Sequence, residues 1–187
     1  MAKINGKGQA RTYRSMDELI AITNEMTPAT GSVILLSYHC CSRVGEVLRL
    51  KAEYVIGGEL IFPAEITKCN KQREYPIDDA MSEILSKLPN KGLLFPGRSG
   101  TKPMTPNAVE KQLKRACDYL DSRGSHRGFS LHSGRRTMAN NMMRGGSTLK
   151  ELMDYGGWSS LTSVQRYLDT TAEDKLRAKA NAVFPAA

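Results

Sequence analysis

The 187-residue chain is short of several features that would define its class at once. Its four cysteines, Cys40, Cys41, Cys69 and Cys117, form no Cys-x-x-Cys pair and hold no zinc-ligand spacing to the three histidines, His39, His126 and His132. A disulfide-stapled scaffold and a metal site are therefore not expected, and the thiols read as reduced core or near-core residues. His39-Cys40-Cys41 is the one tempting cluster, but adjacent helical residues point in different directions and make a poor chelate. No apolar run approaches the roughly 20 residues of a membrane span. The start of the chain is basic with no apolar core behind it, so no secretory leader is expected and a cytoplasmic location is. Internal repeats and low-complexity tracts are missing too. Acidic residues are the minority charge: 27 Lys+Arg against 19 Asp+Glu leave a formal charge of +8. That excess favours a polyanion, nucleic acid ahead of a membrane surface. A solvated basic surface explains it equally well, so charge alone names no partner.

What is present fits one globular domain, with 40% hydrophobic and 25% charged residues. Residues 1–14 carry Lys3, Lys7, Arg11 and Arg14 with almost nothing apolar to bury, and read as a flexible basic N-terminal arm; residues 15–187 form the domain. Ser15-x-x-Glu18 is a capping box opening a helix that stops before Thr27-Pro28. A second, buried helix is expected after Gly31, through Val33 to Leu36. Tyr54-Val55-Ile56 and Leu60-Ile61-Phe62 read as strands around a Gly57-Gly58 turn. Ile66 to Lys68 and Glu74 to Ile77 add further strand around a polar tip. Helices return at 79–88, at 105–120 behind a Thr105-Pro106 cap, and at 132–143. A second capping box, Thr148-x-x-Glu151, starts another, closed by Gly156-Gly157. A short turn at 162–168 and a final amphipathic helix at 172–184 complete the chain. The fold class is mostly α with a small antiparallel β-sheet insert (α+β).

Several residues suggest chemistry, none of them decisive alone. His132-Ser133-Gly134-Arg135 puts an imidazole and a guanidinium on one helical face, where both can reach one anion. Arg43, with Glu46 three residues on, is equally an internal strut. Lys68 and Lys71 at a hairpin tip are ordinarily solvated. Trp158, the only tryptophan, is ordinarily core, and Tyr167 ordinarily half-buried with its hydroxyl at the surface.

The order of these signals carries more than any one. Arg43, Lys68, His132-x-x-Arg135, Trp158 and Tyr167 resemble the six active-site positions of the tyrosine recombinase (phage integrase) family. The flanking text also matches. Arg43-x-x-Glu46-x-Leu48-x-Leu50 is similar to the family's first arginine box. Thr67-Lys68 through Arg73-Glu74-Tyr75-Pro76-Ile77 resembles its lysine hairpin, and Gly156-Gly157-Trp158-Ser159-Ser160 to Tyr167 its final segment. The resemblance covers roughly residues 15–180. Departures are Arg136, where a histidine is frequent; Trp158, where many members have histidine; and Cys41-Ser42, where glycine and a small or apolar residue are usual. Only about 14 residues stand before the catalytic region, so the chain resembles catalytic-domain-only members such as phase-variation invertases and small phage or island integrases.

The resemblance implies the tyrosine recombinase catalytic-domain fold and a site-specific DNA recombinase. Such an enzyme cleaves and rejoins double-stranded DNA through a 3′-phosphotyrosyl intermediate in integration, excision or inversion. Tyr167 would be the nucleophile, Arg43 and Arg135 the phosphate clamp, and His132 the proton acceptor. Trp158 would donate an indole hydrogen bond, Lys68 would be the general acid, and Glu46 would orient Arg43. No cofactor or metal is expected. It also implies a homo-tetramer on two DNA sites, with DNA-bending accessory proteins as further partners and no membrane. Arg98, Lys102, Lys111, Lys114, Arg123 and Arg127 are candidate phosphate contacts. A type IB topoisomerase and a non-catalytic DNA-binding regulator on the same fold remain alternatives.

Overall fold

Local side-chain chemistry sets where the first elements begin. The structure is a computed structural model that describes residues 10–121, 128–170, 172–180 and 182. Helix α1 (Met16–Asn24) is capped by Ser15, whose hydroxyl accepts the Glu18 N–H at 3.2 Å. Glu18 does not complete the expected box: its buried carboxylate instead accepts the Arg14 N–H at 2.6 Å. Helix α2 (Pro28–His39) begins at Pro28, earlier than the start expected after Gly31. Thr27 caps it and Pro28 occupies the first turn, where a missing N–H is harmless. Gly31 lies inside it because a Cβ there would come 2.9 Å from the Thr23 carbonyl of α1.

After the short helix α3 (Val44–Val47) comes a sheet of three antiparallel strands, β1 (Val55–Ile56), β2 (Glu59–Phe62) and β3 (Arg73–Pro76), in that order. Leu60 pairs with Tyr75 and Phe62 with Arg73, and all four side chains are buried on one face. The expected strand at 66–68 does not form. A 3-10 turn (Ala64–Ile66) runs into Thr67, whose hydroxyl donates to Ala64 O and accepts the Lys71 N–H. A side chain that satisfies the backbone locally competes with a ladder.

Helices α4 (Asp79–Ser86), α5 (Pro106–Asp121), α6 (Ser133–Arg144), α7 (Leu149–Gly156), α8 (Leu161–Gln165) and α9 (Ala172–Ala180) follow. The α2 helix packs against α1 and α6, and α7 against α6. The main core runs from Leu19 through Leu36, Phe62 and Phe95 to Leu113. A second cluster, Cys41, Ala139, Leu152, Trp158 and Val164, lies between α6, α7 and α8. Cys40, Cys41 and Cys117 are buried free thiols, and Cys69 is partly buried.

The inner end of the expected arm, residues 10–14, is packed. Tyr13 is 5% exposed, stacks on Phe129 with ring centroids 4.6 Å apart, and donates its N–H to Thr137 Oγ1. Arg11 donates its N–H to the Gly128 carbonyl, and Arg11 and Arg14 both pair with Glu18. The burial partner is Phe129, remote in sequence, so the segment looks apolar-poor when read alone. Residues 1–9, including Lys3 and Lys7, lie outside the described residues. At the other end, α9 presents Leu176 at 68% exposure, and Arg177 reaches the Arg144 carbonyl at 3.4 Å. Val183 and Phe184 of the expected stripe also lie outside the described residues. Among the described residues no helix is long and apolar enough to cross a membrane.

Candidate active site

The α2–α3 connection and the start of α6 meet at Cys41 and Arg135. Cys41 has φ of +46°, a left-handed conformation that side chains other than glycine seldom adopt. That turn aims its carbonyl at α6, where it accepts the Arg135 Nη1–H at 2.8 Å. Arg135 is fully buried. Its guanidinium carbon lies 3.8 Å from the centroid of the Trp158 ring, a close cation–π stack. Burial, then Arg43, lower its pKa, yet a guanidinium stays charged. Arg135 Nε and Nη2 and Trp158 Nε1 are buried and meet no protein acceptor. Such groups cost about 1–3 kcal/mol each when unsatisfied, and here two belong to the guanidinium and one to the indole stacked on it. Gly156 makes room for the indole: a Cβ there would fall 1.9 Å from Trp158 Cζ3.

Glu46 on α3 is the hub of the second half. Its buried carboxylate accepts from Arg43 Nη1 (3.1 Å), Arg73 Nη2 (2.5 Å) and the Lys68 N–H (2.9 Å). Burial pushes its pKa up, but Arg73 beside it, the Lys68 N–H and Arg135 together hold it below the usual carboxylate value. Glu46 therefore stays an anion that orients Arg43 and pins the lysine loop. Arg73 of β3 continues the chain of contacts to Ser42 Oγ, Tyr75 Oη and the Gly156 carbonyl. It ties sheet, α3 and α7 together.

Arg43, Lys68 and His132 line one cleft of about 400 Å³ with Glu46, Thr67 and Pro106. The Lys68 side chain is exposed there. His132 sits at the N-terminus of α6, with Nδ1 3.5 Å from Tyr167 Oη. Partial burial, then Arg135 and Arg43, hold its pKa below the ordinary value, so the ring is neutral and able to accept a proton at pH 7. Tyr167 follows α8, half-buried. Its ring lies edge-on to Trp158 with centroids 5.2 Å apart, and the Arg135 guanidinium is 5.3 Å from its centroid.

Of the six residues singled out from sequence, Arg43, Lys68 and His132 thus line the cleft with Glu46, and Tyr167, Trp158 and Arg135 adjoin it through the contact of His132 with Tyr167 and the ring contacts of Trp158 with Tyr167 and Arg135. Of the candidate phosphate contacts, Arg98 and Lys102 are exposed on the loop closed by the Pro96–Pro103 bridge, and Lys111 and Lys114 are exposed on α5. Arg123 and Arg127 lie outside the described residues. Sequence reasoning missed Cys41, Arg73, Asn140 and Asp169. Asn140 donates from Nδ2 to the Tyr167 carbonyl (2.7 Å), and Asp169 pairs with Arg136. Arg73 was expected in the polar tip before a strand at 74–77; the strand begins one residue earlier and carries it onto the buried face.

Comparison with known proteins bears on the family and the fold. The family model described as "Phage integrase family" matches residues 12–174. Tyrosine recombinase XerC of Rhodospirillum centenum is 27% identical over 153 residues, 78% of this chain and 43% of that protein. The chain therefore spans less than half the length of that relative. Among solved structures, XerA recombinase superposes with a TM-score of 0.71 at 15% identity, covering 94% of this chain and 66% of the other. The Tn1549 transposon integrase in complex with transposon right end DNA gives 0.74 at 13% identity, over 95% and 67%. A lambda integrase tetramer bound to a Holliday junction gives 0.66 at 18%, over 86% and 49%. At these identities the structural likeness shows the fold alone.

Proposed function

Since the chain belongs to the phage integrase family, we propose that it is a site-specific DNA recombinase, with residues 15–187 forming its catalytic domain and Tyr167 as its nucleophile. One observation carries the reading: the Tyr167 phenol stands 3.5 Å from His132 Nδ1, and the buried Arg135 guanidinium lies 5.3 Å from the centroid of its ring.

The chemistry follows from these groups. A phenol has a pKa of about 10 and needs a base or nearby cations to attack at neutral pH. His132 accepts the Tyr167 proton as the phenolic oxygen bonds to phosphorus. The P–O5′ bond breaks, and Lys68 protonates the departing 5′ oxygen. Arg43 and Arg135 present planar forks to the two non-bridging oxygens, contacts that strengthen as charge grows in the pentacoordinate transition state. The 3′-phosphotyrosyl bond conserves the energy of the diester, so rejoining to another 5′ hydroxyl runs the same steps backward without ATP.

The assembled state is a homo-tetramer on two double-stranded DNA sites, as in the lambda integrase tetramer bound to a Holliday junction. Exposed Leu176 on α9 is available to dock on a neighbouring protomer. Basic residues 1–14 and the exposed Arg98, Lys102, Lys111 and Lys114 supply phosphate contacts, with Arg123 and Arg127 as further candidates. DNA-bending proteins are accessory partners, and the protein acts on DNA in the cytoplasm.

The test is an SDS-resistant adduct assay on fragmented genomic DNA of the source organism, with wild type beside Tyr167→Phe. A 3′-linked adduct with wild type that the variant lacks supports the reading, and sequencing the trapped ends identifies the site. Equal adduct from both proteins would overturn it.

A further inference from the structure

We propose that Arg136, Asn140 and Asp169 form a latch that fixes the backbone of Tyr167 to the helix bearing His132 and Arg135, making them positioning residues for the nucleophile. The inference rests on Tyr167 being that nucleophile.

Apart from α6, the segment that carries Tyr167 is held by Val164 and by the packing of Tyr167 and Leu168 against the second cluster. Upstream, α8 is five residues long and buries only Val164. Downstream, every residue of α9 whose exposure is described is at least partly open to solvent. Between them, α6 grips the backbone at three points. Arg136 Nη1 donates to the Arg166 carbonyl at 3.2 Å, and Asn140 Nδ2 donates to the Tyr167 carbonyl at 2.7 Å. Asn140 Oδ1 accepts the Asp169 N–H at 2.8 Å. The fourth grip is ionic. Arg136 Nε donates to Asp169 Oδ2 at 3.1 Å, and Nη2 pairs with Oδ1, giving the bidentate geometry that fixes both position and angle.

Arg136 and Asn140 are four apart, so they share one face of α6. Arg135, one residue earlier than Arg136, instead stacks on Trp158. One rigid helix thus carries the anion-holding groups on one side and the nucleophile's backbone on the other. Both Arg136 (2% exposed) and Asn140 (3% exposed) are buried, which screens the grip from water. None of the four grips touches the phenol; they hold the backbone of Tyr167 and leave its ring to its contacts with Trp158 and His132.

The experiment compares Asp169→Asn, Asn140→Leu and the double variant Arg136→Met/Asp169→Asn with wild type. Readouts are the rate of adduct formation on the fragmented genomic DNA, non-covalent DNA retention, melting temperature, and the 19F line of 3-fluorotyrosine placed at 167. Both single variants are expected to lose about tenfold or more in adduct rate, since misplacement by 1 Å costs about a hundredfold, with DNA retention unchanged and the 19F line shifted or broadened. The double variant removes the stranded buried charge and regains melting temperature, but its adduct rate stays low. A rate that recovers with stability, or single variants at wild-type rate, would overturn the latch. If wild type forms no adduct, the nucleophile reading fails by itself, and an unmoved 19F line in Asp169→Asn would then overturn the latch independently.

Discussion

Replacing Glu46 by glutamine keeps the shape of the hub and removes its charge. The carboxylate is 2% exposed and is shared by Arg43, Arg73 and the Lys68 N–H, with the buried guanidinium of Arg73 only 2.5 Å away. Breaking a buried pair on one side leaves the other charge unmatched and costs about 3–5 kcal/mol. For a chain of this size each kcal/mol moves the melting temperature by about 2–4 °C, so Glu46→Gln should melt about 6–20 °C lower at pH 7. The same variant carries its own control. Glu46 has a depressed pKa in the folded protein, so its contribution is complete above the unfolded value of about 4.3 and is lost as pH falls through the folded one. The gap between wild type and Glu46→Gln should therefore stay constant from pH 7 to pH 5 and close below that. Urea unfolding of both proteins across pH 3–7 measures it. A gap under about 1 kcal/mol at pH 7, the range of an exposed pair, or one that does not change on acidification, would refute the hub.

Three further outcomes follow from single residues. Tyr13→Phe should raise stability by about 1–3 kcal/mol, because the buried hydroxyl meets no protein partner; a destabilised variant in urea would show that the hydroxyl is satisfied. Cys41→Val should destabilise more than Cys40→Val, though both thiols are fully buried, because only Cys41 has positive φ and a β-branched residue there is strained by about 1–3 kcal/mol; equal melting temperatures would remove that distinction. The adduct rate should fall only below pH 6.5, the ordinary histidine value, because Arg135 and Arg43 add to partial burial in lowering the His132 pKa; an acid limb at or above 6.5 would assign the proton acceptor elsewhere.

The six candidate residues were legible through the resemblance of their types and order to one family's active-site positions; singly, a helical i, i+3 His–Arg pair, a lysine before a hairpin tip and a tyrosine nine residues after a tryptophan each had an ordinary structural reading. Caps were legible locally, from a hydroxyl at a helix start, at Ser15, Thr105 and Thr148. What stayed hidden acts across the fold. Tyr13 finds Phe129, Arg73 finds Gly156, and Asn140 finds Tyr167, pairings that no window of sequence contains. The unformed strand at 66–68 and the early start of α2 are different, since Thr67 and Thr27-Pro28 were visible. There, a hydroxyl bonding its own backbone and a proline in a first turn outweighed apolar patterning.

Gly156 has no side chain to offer, yet the indole lies where its side chain would be. The consequence is epistatic. Adding even a methyl group at 156 evicts Trp158 from its stack on Arg135, so a mutational scan of this chain alone would score position 156 as essential while finding no group there to explain it. With a smaller ring at 158 the same substitution becomes affordable space. The two positions therefore constrain each other's history: a tryptophan can enter this site only in a background that already has glycine two residues before it, and once it has entered, the glycine cannot leave first.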